Sequence, residues 1–185
     1  MIIGVAGTHA SGKDVVARYL AEHRGFFHIS TGDIFRDYIR KNNLGDPTRD
    51  LLHVVANQVR TELGADWSVR QAMANGQRPL VVSGIRNPVE ATTLKAAGGF
   101  IIAVDAPIES RFKWFAARGR VDDDVTAERF KEQEAAEFSH ADPNGQRLGD
   151  VLAIADFDIA NDGSLQDLHD KIDQILMRIT PKEQP

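Results

Sequence analysis

The chain has 185 residues, of which 42% are hydrophobic and 26% charged, and these proportions are typical of a folded globular domain. It carries 22 Lys and Arg against 27 Asp and Glu, so it lacks the basic excess on which general nucleic-acid binding depends. The absence of cysteine excludes disulfides, thiolate nucleophiles and Cys-ligated zinc. We therefore expect one domain over 1–185 that has no nucleic-acid partner.

The sequence also argues against a membrane protein. No apolar run approaches the roughly 20 residues that span a bilayer, and no basic leader precedes the apolar start of the chain. We expect a cytoplasmic protein without membrane contact. The six histidines never stand at the i, i+4 spacing of a helical zinc site, which favours surface or packing roles for them. No feature of the sequence specifies an oligomeric state.

The predicted elements alternate between strands and helices. Short apolar runs predict strands at 2–6, 26–29, 79–83, 99–104 and 157–159. Helical spacing of apolar residues predicts helices at 15–20, 34–39, two segments of 48–74 joined at Gly64, a segment from 88, then 108–118, 126–139, a short one near 151, and 164–177. This alternation predicts an α/β fold in three layers, with a five-stranded parallel sheet and helices on both faces. Ligands should then bind at the carboxyl ends of the strands.

A phosphate-binding loop follows the first predicted strand. Gly7-Thr8-His9-Ala10-Ser11-Gly12-Lys13 matches the pattern G-x-x-x-x-G-K at the start of a helix. Glycines let successive N–H groups point at phosphate oxygens, the helix N-terminus adds its dipole, and Lys13 supplies a positive charge. The predicted ATP-binding residues here are Gly7, Thr8, His9, Ala10, Ser11, Gly12, Lys13 and Asp14, and Lys13 is also a predicted catalytic residue.

The predicted magnesium site departs from the usual pattern at two positions. The residue after the lysine is normally Ser or Thr, whose hydroxyl ligates Mg²⁺, but here it is Asp14. At the end of the third strand, where an Asp is usual, the chain has Ser83. We expect the two positions to have exchanged roles, so that Asp14 supplies the carboxylate and Ser83 the hydroxyl near the metal. Alternatively, Asp14 only stabilises the helix dipole and metal binding is weak.

With these motifs, the chain resembles the nucleoside monophosphate kinase group of P-loop proteins. The segment 29–36, with sequence Ile-Ser-Thr-Gly-Asp-Ile-Phe-Arg, is similar to the adenylate kinase segment that holds the acceptor nucleotide. Gly84-Ile85-Arg86 resembles the stretch whose arginine binds the acceptor phosphate in that family. The resemblance implies a P-loop kinase fold with an acceptor-binding helical part at 32–76, and acceptor contacts by Thr31, Asp33, Arg36 and Arg86, the last also a catalytic residue.

The later half of the chain resembles dephospho-CoA kinase. The similar stretches are 105–118, 123–126 and 155–163. This resemblance implies that Arg118 and Arg120 meet the ATP phosphates as catalytic residues, with Arg111 a weaker match. It also places Asn161 and Gly163 near the adenine. The charged segment 119–124 has little to bury and is expected to move, so we expect a small mobile lid within 108–139.

Glu90 is the candidate for reading the acceptor base. It falls close to the position of a base-reading glutamine in adenylate kinases, and a carboxylate would favour bases that present amino or imino donors. The alternative interpretation is a solvent-facing carboxylate on a helix.

The expected function is ATP- and Mg²⁺-dependent phosphoryl transfer to a nucleoside or deoxynucleoside monophosphate. This chemistry requires positioning and charge neutralisation, which the loop, the metal position and the arginines offer. Two alternatives remain. One is transfer to the ribose hydroxyl of dephospho-CoA, for which Asp33 is a candidate base. The other is a nucleotide-binding regulatory protein with little turnover.

Overall fold

The sheet of this protein is parallel throughout. The computed structural model describes residues 1–117, 126–138 and 144–180. In these ranges the strands are β1 (Ile2–Gly7), β2 (Phe27–Ser30), β3 (Leu80–Ile85), β4 (Phe100–Asp105) and β5 (Phe157–Ala160). They pair in the order β2-β3-β1-β4-β5, and every pairing is parallel. The prediction of a five-stranded parallel sheet is confirmed, and the carboxyl ends of all the strands lie at one edge.

The helices fill the connections between the strands. They are α1 (Lys13–Arg24), α2 (Thr31–Lys41), α3 (Arg49–Leu63), α4 (Trp67–Ala74), α5 (Pro88–Ala96), α6 (Ile108–Ala117), α7 (Ala127–Phe138), α8 (Leu148–Ala153) and α9 (Leu165–Ile179). Among the differences from the predicted boundaries, α2 begins three residues earlier than expected. Ser30 keeps an extended backbone (φ −93°, ψ 131°) as the residue before the helix, so Thr31 already lies in the first turn. Of the lid predicted at 108–139, residues 118–125 and 139 lie outside the described residues.

Two hydrophobic clusters cover opposite faces of the sheet. Along β1, Ile3 and Val5 belong to the cluster formed with α1 and α9, whereas Ile2 and Ala6 belong to the cluster formed with α4, α5 and α8. Alternate side chains of a strand point to opposite faces, so a strand that is apolar at nearly every position must be covered on both. The three-layer arrangement predicted from the sequence is therefore present.

A third cluster packs α2 against α3 beside the sheet. Phe35 and Ile39 of α2 contact the buried face of α3, which includes Val55 and Val59. The helix α3 is capped by the Thr48 side chain, which accepts a hydrogen bond from the Leu51 amide. This cluster holds the helical part of the chain next to the ends of β2 and β3.

No helix in the described ranges is both long enough and apolar enough to span a bilayer.

A polar contact joins α1 to α9 at the protein surface. Tyr19 donates a hydrogen bond to Asp173 (2.9 Å), and the Nε of Arg24 donates to the same carboxylate (2.8 Å). The His169 ring stacks on Tyr19 with 4.0 Å between centroids. The hydrogen bond from Arg24 holds the pKa of Asp173 below its ordinary value, and the bond from Tyr19 acts in the same direction.

We predict that Asp173→Asn destabilises the protein in a pH-dependent way. Because the folded-state pKa is lowered, the carboxylate contributes its full stabilisation above the ordinary Asp pKa of about 4, and loses it as the pH falls through the folded-state value. Urea unfolding should show a lower midpoint for the variant at pH 7 and a shrinking difference from the unsubstituted protein below about pH 4. Asp158→Asn, at an exposed position of β5, is the control. A difference that is the same at every pH would contradict this assignment.

Candidate functional site

The phosphate loop links β1 to α1 at the centre of the sheet edge. Gly12 precedes α1 with φ 94°, and a Cβ at this position would lie 2.4 Å from the Asn161 amide nitrogen. Only glycine fits this backbone and this space. Gly12 has no side chain with which to cap the start of α1, and the N–H groups of a helix N-terminus can bind an anion. This geometry fits a phosphate group, as the motif predicts.

Residues from β4 and β5 brace the loop from behind. The Thr8 hydroxyl donates to the Asp105 carboxylate (2.5 Å), and the Asn161 side chain donates to the Ser11 carbonyl (2.9 Å). The Asn161 backbone N–H in turn donates to the Asp105 carbonyl (2.7 Å). Asn161, predicted to lie near the adenine, thus lies beside the loop and supports its shape. Gly163 follows β5, just before α9.

The two predicted metal positions both line one cavity with Lys13. Asp14 lies in the first turn of α1, and Ser83 is buried near the end of β3. The Ser83 hydroxyl is 2.9 Å from the His28 Nε2, a partner that the sequence analysis missed. Burial lowers the pKa of His28, while Asp14 and Asp33 oppose this effect.

The fit of these residues to a metal ion can be judged from their chemistry. Within the described ranges, no group of three or more His, Asp or Glu side chains could hold a metal by itself. Mg²⁺ in phosphoryl-transfer sites is held mainly by substrate phosphates and water, with one or two protein oxygens. One carboxylate and one hydroxyl beside a phosphate loop are compatible with that requirement.

The cavity itself lies between the sheet edge and the helices α2 and α3. Its volume is about 670 Å³. The cationic side chains in its wall are those of Lys13, Arg36, Arg49, Arg60 and Arg86, and the acidic ones are those of Asp14 and Asp33. A cavity of this size suits a small-molecule ligand, and the excess of cations suits an anionic one.

Four predicted acceptor-binding residues line this cavity: Thr31, Asp33, Arg36 and Arg86. The Thr31 hydroxyl donates to the Gly84 carbonyl (2.8 Å), which ties α2 to β3. Arg36 donates to Asp33 (2.8 Å), and Arg86 donates to the Gln146 side chain (3.0 Å).

The structure corrects the prediction for Glu90. Its side chain is completely buried and does not line the cavity. One carboxylate oxygen accepts the backbone N–H groups of Arg86 (2.8 Å) and Asn87 (3.0 Å), and the other accepts the Ser68 hydroxyl (2.7 Å). Glu90 is at the third position of α5, where a side chain turns back to cap the helix start. It therefore holds the turn that carries Arg86 and is not placed to read a base.

Sequence reasoning missed Arg49, His53, Arg60 and Gln146 in the cavity wall. Gln146 bridges the two sides of the cavity, since its amide nitrogen lies 3.1 Å from the His53 Nδ1 while its oxygen accepts from Arg86. For Arg60 a signal existed: it follows Val55, Ala56 and Val59 on the apolar face of α3, where an arginine is unusual. Gln146 had no such signal, because its position depends on contacts distant in sequence.

The remaining predicted arginines are elsewhere. Arg118 and Arg120 lie outside the described residues. Arg111 is buried, donates to the Ala106 carbonyl (2.8 Å) and forms an ion pair with Glu134 that joins α6 to α7. Its guanidinium also donates to the His9 carbonyl of the phosphate loop (3.3 Å).

We predict that Glu90→Ala lowers the free energy of unfolding by roughly 3 kcal/mol, because it removes a buried anion beside Arg60 and leaves two buried N–H groups without their acceptor. Urea denaturation measures the loss. The control is Glu22→Ala at an exposed position of α1, which should change stability by less than about 0.5 kcal/mol. Equal effects of the two substitutions would refute the capping role.

Comparison with known proteins agrees with this geometry. Residues 3–139 match the family model described as AAA domain. A UPF0200 protein from Thermococcus kodakarensis is 31% identical over 192 residues, covering 98% of this chain and 100% of that protein. A UPF0200 protein from Aeropyrum pernix is 34% identical over 173 residues, covering 91% of this chain and 88% of that protein.

Solved structures share the fold at low identity. A shikimate kinase from Acinetobacter baumannii in complex with shikimate has a TM-score of 0.55 at 18% identity, covering 98% of this chain and 95% of its own. A dephospho-CoA kinase from Campylobacter jejuni has a TM-score of 0.53 at 16% identity, covering 97% of each chain. These likenesses confirm the P-loop kinase fold. The phosphate loop and the sheet order agree with the family match and with the UPF0200 relatives. The chain belongs to the AAA domain family and to the UPF0200 proteins.

Proposed function

We propose that this protein transfers the terminal phosphoryl group of ATP, with Mg²⁺, to a nucleoside or deoxynucleoside monophosphate. The observation that carries the proposal is the cavity of about 670 Å³ that joins Lys13 of the phosphate loop to four arginines. We also propose a cytoplasmic location.

The donor side of the proposed reaction uses the phosphate loop. The N-terminus of α1 and the Lys13 ammonium would hold the phosphates of ATP. Phosphoryl transfer depends on positioning and on neutralising charge more than on a reactive side chain. The loop is preorganised for positioning the phosphates, because Asp105 and Asn161 fix its shape before ligand binds.

Mg²⁺ would neutralise charge between the donor phosphates. Asp14 and Ser83 would hold it, directly or through water, and His28 would orient the Ser83 hydroxyl. The alternative is that Asp14 only stabilises the helix dipole and that metal binding is weak.

The acceptor side uses the arginines. The planar guanidinium of Arg86 or Arg36 can hold a phosphate group through two hydrogen bonds, which a lysine cannot do. Arg86 is especially well placed, since Glu90 fixes its backbone and Gln146 contacts its side chain. Both arginines share the cavity with Lys13, as transfer between two anionic substrates requires.

A second candidate function is transfer to a hydroxyl group, with dephospho-CoA as the acceptor. The Asp33 carboxylate lines the cavity and could accept the proton of an attacking hydroxyl. The solved neighbours named shikimate kinase and dephospho-CoA kinase favour keeping this candidate. A nucleotide-binding protein with little turnover is a third candidate, and the unusual residues Asp14 and Ser83 are its support.

ADP formation from Mg-ATP distinguishes these candidates. Parallel reactions would contain each common ribo- or deoxynucleoside monophosphate, dephospho-CoA, or no acceptor. Stimulation by monophosphates supports the leading proposal, and stimulation by dephospho-CoA alone supports the second. ATP binding without stimulation by any acceptor would support the third and overturn the first two.

We predict that Lys13→Ala lowers acceptor-dependent ADP formation by about 100-fold or more, because it removes a preorganised charge from the transferring phosphoryl group. The matched control is Arg18→Ala, which removes an exposed cation from the same helix and should leave the rate within about twofold. If Lys13→Ala retained most of the activity, the loop would not be the donor site.

Arg118 and Arg120 remain a prediction of the sequence. If they act on the transferred phosphoryl group, replacing both with alanine should lower kcat by more than about tenfold and weaken ATP binding by much less. Steady-state kinetics with a separate measurement of the ATP dissociation constant makes the comparison. Equal losses in both quantities, or no loss, would contradict a role in the transition state.

A further inference from the structure

Arg60 is a buried arginine in the wall of the cavity. It lies near the end of α3 on the face that packs against α2, and its side chain is 3% exposed. Its guanidinium carbon lies 5.2 Å from the centre of the Phe35 ring, which also lines the cavity. An arginine so fully removed from water loses its hydration and needs hydrogen-bond acceptors in return.

The neighbours of Arg60 satisfy it only in part. One terminal nitrogen donates to Asn57 at 3.3 Å, and the other lies 3.9 Å from Glu90, beyond hydrogen-bond distance. The Nε is buried and has no hydrogen-bond partner among the residues that the structure describes. The nearby Glu90 oxygen already accepts the Ser68 hydroxyl. Glu90 therefore offsets part of the positive charge of Arg60 but accepts no hydrogen bond from it.

The charge of a second cation, Arg86, acts on Arg60. Burial lowers the pKa of Arg60, Glu90 opposes this effect, and the positive charge of Arg86 adds to it. Both residues line the same cavity, and the positive charges of their guanidinium groups repel each other. By contrast, Arg36 in the same cavity forms an ion pair with Asp33 at 2.8 Å and its side chain is 38% exposed. Arg60 and Arg86 therefore place two positive charges in the wall of the same cavity.

An oxyanion would correct both defects. Its oxygens could accept from the guanidinium of Arg60, and its charge would lie beside two cations that otherwise repel each other. Phosphate and carboxylate groups share this chemistry. We propose that Arg60, together with Arg86, forms a subsite in the cavity wall for an oxyanion of the acceptor. The identification of this anion as part of the acceptor rests on the proposed function, whereas the subsite itself does not.

NMR of the full-length protein tests the subsite directly. The Nε–H signal of Arg60, identified by its loss in Arg60→Lys, would be followed during separate titrations with inorganic phosphate and with acetate. We expect a saturable shift of this signal. Tighter binding of phosphate would point to a phosphate-bearing acceptor, and tighter binding of acetate to a carboxylate-bearing one. An Arg60 signal that neither anion moves would overturn the proposal, even if phosphate binds at the phosphate loop.

Variants separate the subsite from a purely structural role. Following the Arg60 signal, Arg86→Lys should weaken phosphate binding by about tenfold, since lysine keeps the charge but loses the planar fork. Arg18→Lys on the exposed face of α1 is the control and should change nothing. Unchanged phosphate affinity in Arg86→Lys would remove Arg86 from the subsite. The wild-type titration depends on only one folded variant, Arg60→Lys, which serves to assign the signal.

The two proposals can fail separately. Anion binding at Arg60 without acceptor-dependent ADP formation would leave the subsite standing and overturn the proposed function. Acceptor-dependent ADP formation with an acceptor that leaves the Arg60 signal unmoved would support the function and overturn the subsite.

Discussion

The placement of β1 between β3 and β4 determines the rest of the site. Because all strands run parallel, their carboxyl ends form one edge, and the central strand brings the phosphate loop to the middle of it. Thr31 and Arg86 directly follow β2 and β3 on one side of the loop. On the other side, Asp105 ends β4 and Asn161 directly follows β5. One side thus forms the cavity, while the other holds the loop in shape.

A single buried carboxylate organises much of the cavity wall. Glu90 fixes the backbone that carries Arg86, accepts from Ser68, and balances part of the charge of Arg60. Buried charges are stable only where hydrogen bonds and opposite charges compensate them. Here both oxygens of the carboxylate accept hydrogen bonds, whereas the Nε of the Arg60 guanidinium has no hydrogen-bond partner among the described residues.

The sequence predicts local features better than features that depend on distant contacts. The strands and the phosphate loop follow from runs of apolar residues and from one motif, and both are confirmed in the fold. The prediction that Glu90 reads the acceptor base was wrong. It was taken from a family position, and such a match does not specify where a side chain at a helix start points. Arg60 and Gln146 enter the site through tertiary packing: Arg60 lies on a helix face packed by α2, and Gln146 contacts His53, which is 93 positions away.

The bracing of the phosphate loop has a consequence for how the protein forms. Thr8 and Ser11 are held by partners 97 and 150 positions further along the chain. Contacts between residues so far apart in sequence cost conformational entropy, which other contacts must offset first. We therefore expect these two hydrogen bonds to form late in folding. During synthesis, therefore, the chain carries its nucleotide motif from the first residues onward, yet the loop acquires its final shape only when β5 joins the sheet.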